Sequence, residues 1–311
     1  MVQLADVALA RYRIRRYLAP TPLEAAPALG DQLWLKLENA NRTHSFKVRG
    51  ALNALLALDQ AARARGIITV SSGNHAQGIA YAAHLVGARA RILMPVHTPR
   101  RKVAGVQRYG AEAVLVGDNY DETELEGRRV ERAEGLTFIS PYNHPLVVAG
   151  NGTVGLEIVD DLPQVERVIV PAGGAGLISG VAIAVKSLRP SAEVVAVNAE
   201  SAPALYNLFY DTAYPQVWET LAEALSGEIE AESITRDLAR RYVDRVVLVS
   251  EQAIADAMRW MVEEQGWIAE GGGAVGVAAL LSGVVPPDER PTVIVVSGGN
   301  VDGETLRRAL S

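Results

Sequence analysis

Short runs of β-branched and aliphatic residues alternate with longer helical patterns along most of this chain, and no other feature limits its fold as strongly. Strands are expected at Leu33–Leu37, Ile67–Val70, Ala90–Met94 and Ala113–Val116, with helices at Gly50–Arg63, His75–Leu85 and Arg100–Tyr109 between them. After a helix near Thr153–Val159 the rhythm resumes with strands at Val165–Val170, Glu193–Val197, Arg245–Val249 and Thr292–Val296. Parallel strands need a helical crossover, so this alternation predicts an α/β protein built on doubly wound open sheets. With 311 residues, 49% of them hydrophobic, the chain is long enough for two packed lobes. Two prolines in Ser140-Pro141-Tyr142-Asn143-His144-Pro145 interrupt the pattern and mark a lobe boundary. The least regular stretch, Tyr214–Arg241, reads equally as an excursion over the mouth of a site or as a surface insertion.

The net charge of −6 argues against nucleic acid as a partner, because phosphate binding wants a concentrated basic face; Arg11, Arg13, Arg15 and Arg16 read as a solvated helix face. The absence of cysteine removes disulfides, thiolate zinc sites and cysteine nucleophiles. No apolar run approaches the length of a membrane span, and the N-terminus lacks the apolar core of a signal peptide, so no membrane partner is expected and the cytoplasm is the default location.

Four small-residue turns punctuate the pattern. Ser71-Ser72-Gly73-Asn74-His75 follows Ile67–Val70; Gly173-Gly174-Ala175-Gly176 follows Val168-Ile169-Val170; Gly271-Gly272-Gly273 precedes an apolar helix; Ser297-Gly298-Gly299-Asn300 follows Val293–Val296. Turns at the carboxyl ends of strands are where open parallel sheets bind ligands. The turn at Gly173 opens into a helical pattern, so its amides would point at an anion, with phosphate the natural occupant. It lacks the lysine and hydroxyl of a P-loop and the G-x-G-x-x-G spacing of a dinucleotide site. In Ser45-Phe46-Lys47-Val48-Arg49-Gly50-Ala51 an amine stands beside an aromatic ring at a helix start. Taken alone, Lys47 is a solvated lysine. In a partly apolar site, burial would bring its pKa toward neutrality, as an imine-forming amine requires.

An imine-forming lysine, a phosphate cup and several glycine turns together call for pyridoxal 5'-phosphate, which pairs an aldehyde with a phosphate. The chain resembles the serine/threonine dehydratase and serine racemase family of pyridoxal-phosphate enzymes, with the tryptophan synthase β-subunit type of fold. The resemblance runs through Thr21-Pro22-Leu23, Lys36-Leu37-Glu38-Asn39, SFKVRGA from Ser45, SSGNHAQGIAYAA from Ser71, AGNGTVGLEI from Ala149, PAGGAGLISG from Pro171, VDRVVLVSE from Val243 and VVSGGN from Val295. It implies that Lys47 is the Schiff-base lysine and general base, that Phe46 packs near the cofactor ring, and that Asn74 bonds its phenolic oxygen. It further implies that Gly173, Gly174, Ala175, Gly176 and Leu177 hold the phosphate and that Ser297 faces the pyridine nitrogen. Ser71, Ser72, Gly73, Asn74 and His75 would bind the substrate carboxylate, and Ser72 would take part in catalysis as the opposite-face group if the enzyme racemises.

The implied activity is ammonia release from L-serine, L-threonine or a related β-hydroxy amino acid, with a 2-keto acid as the product. The alternatives are an amino-acid racemase with side elimination, a β-replacement enzyme, and a cofactor-binding paralogue without turnover. Residues 1–52 and 147–311 would form a large cofactor-binding domain and residues 53–146 a small mobile one, in a homodimer.

Several positions depart from the family pattern. His44 stands where glycine usually precedes Ser-Phe-Lys, Asn151 replaces the glutamine of Gln-Gly-Thr, and Ala175 replaces the third phosphate-loop glycine. Asn198-Ala199 replaces a Glu-Pro whose glutamate binds a divalent cation in metal-activated relatives, so no metal is expected there. Ala222-Glu223-Ala224 takes the place of Ala-Asp-Gly near the substrate, and Glu270-Gly271 that of a second Glu-Pro. Because the chain stops soon after Asn300, a C-terminal regulatory domain and isoleucine feedback are not expected.

Overall fold

The computed structural model describes residues 1–311. Its strands are β1 (Leu23–Ala25), β2 (Leu33–Leu37), β3 (Ile67–Val70), β4 (Ala90–Met94), β5 (Glu112–Leu115), β6 (Thr137–Phe138), β7 (Arg167–Pro171), β8 (Glu193–Ala199), β9 (Arg245–Val249) and β10 (Thr292–Val296). The helices through the first half are α1 (Leu4–Ile14), α2 (Lys47–Ala57), α3 (Gln60–Arg65), α4 (Asn74–Val86), α5 (Arg100–Gln107), α6 (Tyr120–Glu134) and α7 (Pro145–Asp161). Those of the second half are α8 (Gly176–Leu188), α9 (Ala204–Tyr210), α10 (Ile234–Tyr242), α11 (Glu251–Glu263), α12 (Gly271–Leu281) and α13 (Gly303–Leu310). No helix is long and apolar enough to cross a membrane.

Two open sheets result, ordered β1-β2-β10-β7-β8-β9 and β5-β4-β3-β6. Only β1 runs antiparallel to its neighbour. The large sheet is covered on both faces, which is why its strands are unbroken apolar runs. In β10, Ile294 and Val296 join the core against α11 and α12, while Val293 and Val295 enter the opposite core beside α8, as the two-residue period of a strand requires. In the smaller sheet Ile67, Ile92 and Met94 pack under α2 and α4; Ile68, Val70 and Leu93 form a separate cluster with Phe138.

Three boundaries differ from expectation. The helix expected at Gly50–Arg63 begins earlier, at Lys47, and breaks at Leu58, where extended backbone lets Asp59 cap α3 through the Ala62 amide. The helix expected at Thr153–Val159 begins at Pro145, because the His144 ring accepts from the Leu146 amide and Pro145 fits a first helical turn. The irregular stretch Tyr214–Arg241 holds a 3-10 turn at Glu223–Leu225 and, at its end, α10, which opens at Ile234 under the Ser233 cap.

Candidate active site

The carboxyl ends of β10, β7 and β3 converge on one cleft between the sheets. Phe46 is held at the end of β10, its amide donating to the Ser297 carbonyl at 3.1 Å, and Lys47 opens α2 immediately after it. The Lys47 ammonium donates to the Pro141 carbonyl at 2.9 Å and lies 5.1 Å from the centre of the Phe46 ring. Burial pushes its pKa down to about 8 against the opposing charge of Glu270, so a substantial neutral fraction exists in mildly alkaline solution.

The loop Gly173–Leu177 follows β7 directly. The amides of Gly173, Gly174, Ala175, Gly176 and Leu177 donate to no group of the chain, and the last two open α8, where the helix dipole adds positive potential. Backbone and ring crowd this loop from outside. A Cβ at Gly173 would lie 2.9 Å from the Leu225 main chain, and one at Gly174 would lie 2.5 Å from the Tyr142 ring. Ala175 adopts φ 62° and His44 φ 55°, left-handed conformations that favour glycine.

The turn Ser71–His75 repeats the arrangement at the start of α4. The Ser72, Asn74 and His75 amides have no acceptor in the chain, and Gly73 donates to Ser71 Oγ at 3.3 Å. His75 is buried with Nε2 3.1 Å from the Ile139 carbonyl; burial, then the Lys47 charge, hold its pKa down near 3, so the ring is neutral. Asn74 donates to Glu270 Oε1 at 2.6 Å and accepts from Asn300 at 2.7 Å, which leaves one N–H of its amide to face the cleft.

Glu270 is the site residue that sequence reasoning missed. Its carboxylate sits against Gly298 and the Asn74 amide, and burial raises its pKa to about 7 despite that bond and the Lys102 charge. The available signal was an acid placed directly before a glycine-rich helix start. A second omission lies behind Lys47. Arg49, 1% exposed, makes two bonds to Glu38 at 2.8 Å and two to Glu157 at 2.5 and 2.8 Å. Lys36 adds a 2.9 Å contact to Glu157. Burial alone would raise Glu38, but the Arg49 charge and hydrogen bonds from Arg49, Thr21 and Asn41 hold it below the ordinary carboxylate range.

Other candidates fall elsewhere. Arg128 and Arg129 face their own helix, pairing with Glu124, Glu131 and Glu126. His84 is exposed on α4, and His144 is the cap of α7. Asn198 is buried and bridges the Ala172 carbonyl, ahead of the glycine loop, to the Tyr206 amide of α9.

The donor set suits pyridoxal phosphate: five free amides in a cradle too tight for side chains meet a phosphate, and an amine that readily loses its proton meets an aldehyde. The family described as "Pyridoxal-phosphate dependent enzyme" matches residues 14–298. The chain is 38% identical over 317 aligned residues to an L-threonine ammonia-lyase of Thermotoga maritima, covering 100% of this chain and 79% of that one. It is 40% identical to the catabolic L-threonine dehydratase of Escherichia coli K12 over 87% of this chain and 83% of that one. The structure of maize serine racemase superposes with a TM-score of 0.92 at 33% identity, covering 99% of this chain and 97% of the other.

Proposed function

Since this chain belongs to the pyridoxal-phosphate dependent enzymes, we propose that it is an ammonia-lyase converting L-threonine, L-serine or a related β-hydroxy amino acid to a 2-keto acid and ammonia. The observation that carries this reading is the amine of Lys47, depressed to about pKa 8 and donating to the Pro141 carbonyl, one residue from the Tyr142 ring that crowds Gly174 in the loop of free amides Gly173–Leu177. The kinship to L-threonine ammonia-lyases over almost the whole chain supports the substrate class.

When bound, the cofactor supplies an electron sink that acidifies the substrate's α-carbon. The chain's own residues do the rest. Gly173, Gly174, Ala175, Gly176 and Leu177 would grip the phosphate, Ser297 would face the ring nitrogen, the spare N–H of Asn74 would meet the phenolic oxygen, and Phe46 would pack beside the ring. A substrate carboxylate would lie across the turn from Ser71 to His75, bound by amides at a positive helix end and by the two hydroxyls, with His75 neutral and uncharged beside it. Neutral Lys47 Nζ would take the α-proton and return a proton to the β-hydroxyl, which departs as water; later addition of water frees ammonia and the keto acid. Ser72 would stand on the opposite face. The division of the chain into residues 1–52 with 147–311 and residues 53–146 belongs to the same proposal and is supported by the two separate sheets; closure over the substrate in a cytoplasmic homodimer is proposed with it.

Borohydride reduction of the cofactor-loaded protein is expected to trap an adduct on Lys47, and Lys47→Ala is expected to lower ammonia release from threonine by about 10³-fold or more. An adduct on another residue, or none, overturns the assignment. Ser72→Ala separates the racemase alternative: loss of optical rotation would disappear while keto-acid release persists.

A further inference from the structure

Across the mouth of the cleft, α5 of the smaller lobe faces the short 3-10 turn Glu223–Leu225 of the larger one. Lys102 Nζ lies 2.9 Å from Glu223 Oε2, with 34% of the lysine side chain and 68% of the glutamate exposed, so both reach solvent and are easily rearranged. Each partner is anchored by its neighbours. A Cβ at Gly272 would lie 3.2 Å from Ala224, and Leu225 backs Gly173, which ties the turn to the phosphate cradle. On the other side Arg101 donates to the Val301 carbonyl at 2.9 Å and Arg108 reaches Gln77 of α4 at 3.3 Å, tying α5 to the helix that begins at the carboxylate turn. The charges of Lys102 and Glu223 are both felt by Glu270 inside the site. The pair therefore bridges the lobe of the carboxylate turn and the lobe of the cradle, close enough to Glu270 for both charges to reach it.

We propose that Glu223 sets the charge selectivity of this pocket: by occupying Lys102 it makes the site refuse a side-chain carboxylate, and its removal would free Lys102 to accept one. The inference rests on the ammonia-lyase reading and names a specificity residue within it. Lys102 is paired with Glu223, so an arriving side-chain carboxylate must compete for its positive charge and meets Glu223 as a like charge. Selectivity is built from that repulsion as much as from attraction. Arg128 and Arg129 do not compete for the role, since they are committed to glutamates of their own helix.

The test compares wild type, Glu223→Ala, Glu223→Gln and the double variant Glu223→Ala with Lys102→Ala. Ammonia release is measured from L-threonine and from 3-hydroxyaspartate, and the hydroxyaspartate-to-threonine ratio of kcat/KM is expected to rise at least about tenfold in both single variants and to fall back in the double one. A second arm needs no turnover: holoenzyme absorbance is titrated with L-malate and with L-lactate, and Glu223→Ala is expected to raise the malate-to-lactate affinity ratio by a similar factor. Unchanged ratios, or a gain that survives the loss of Lys102, overturn the proposal. A wild type that releases no ammonia from any β-hydroxy amino acid would overturn the ammonia-lyase reading, and the malate titration would still decide the role of Glu223.

Discussion

Lys47 and Arg49 are two residues apart on one helix, the first half-buried and the second buried, and their surroundings are opposite. Arg49 meets two carboxylates, each through a pair of hydrogen bonds, and its pKa rises above the ordinary arginine value even though burial opposes it. Lys47 has one carbonyl, one aromatic ring and a single half-titrated carboxyl group within electrostatic reach, and its pKa falls. The difference teaches that a buried cation is structural or reactive according to how completely its charge is answered. The helix takes its fixed position from the answered one and presents the unanswered one to the cleft.

The largest expected effect breaks the compensated side. Glu157→Ala leaves Arg49 and Lys36 short of a carboxylate and should cost about 3–5 kcal/mol of stability, read as a shifted urea midpoint. Because burial and Glu270, not the cluster, set the Lys47 pKa, the Lys47 titration should stay near its present value in that variant.

Glu270→Gln acts on the reactive side. A carboxyl raised from 4.5 to about 7 binds more protons folded than unfolded, so its contribution to stability is complete below about pH 4.5 and is lost as pH rises through 7. The variant keeps the acceptor for Asn74 but cannot ionise. It is expected to be more stable than wild type at pH 8 by about 1–3 kcal/mol, with the gap closing below pH 5; a gap independent of pH would contradict this assignment. Removing the same charge should also lower the Lys47 pKa further, read in the cofactor-free protein as a downward shift of the pH midpoint for acylation of Nζ. The smallest effect belongs to the cradle. Ala175→Gly relieves a left-handed alanine and should add about 0.5–1 kcal/mol, net of the entropy glycine brings to the unfolded chain, measured as a higher Tm of the cofactor-free protein.

The sheets were legible because their strands are continuous apolar runs, and a β10 of Val293–Val296 has few other readings. Helix ends were harder. The break at Leu58 depends on an aspartate cap, and the start of α7 at Pro145 depends on the His144 ring accepting a main-chain proton, both local contacts that periodicity does not register. Of the site, the residues with unusual local chemistry stood out: a lysine beside phenylalanine, and small-residue turns after strands. Glu270 and the Arg49 cluster did not, because an acid or arginine in a sequence carries no mark of whether it will be buried. Glu38 and Glu157 are separated by more than a hundred residues and share Arg49 only once β2, α2 and α7 are packed together.

Order and composition along the chain thus determine the α/β architecture, the crossings between strands and the turns of bare main chain, since each follows from side-chain period and backbone freedom within a few residues. Packing alone decides which ionisable groups meet, and with that which amine keeps its proton and which gives it up: the energy of a charge depends on every neighbour within several ångströms, and those neighbours come from distant parts of the chain.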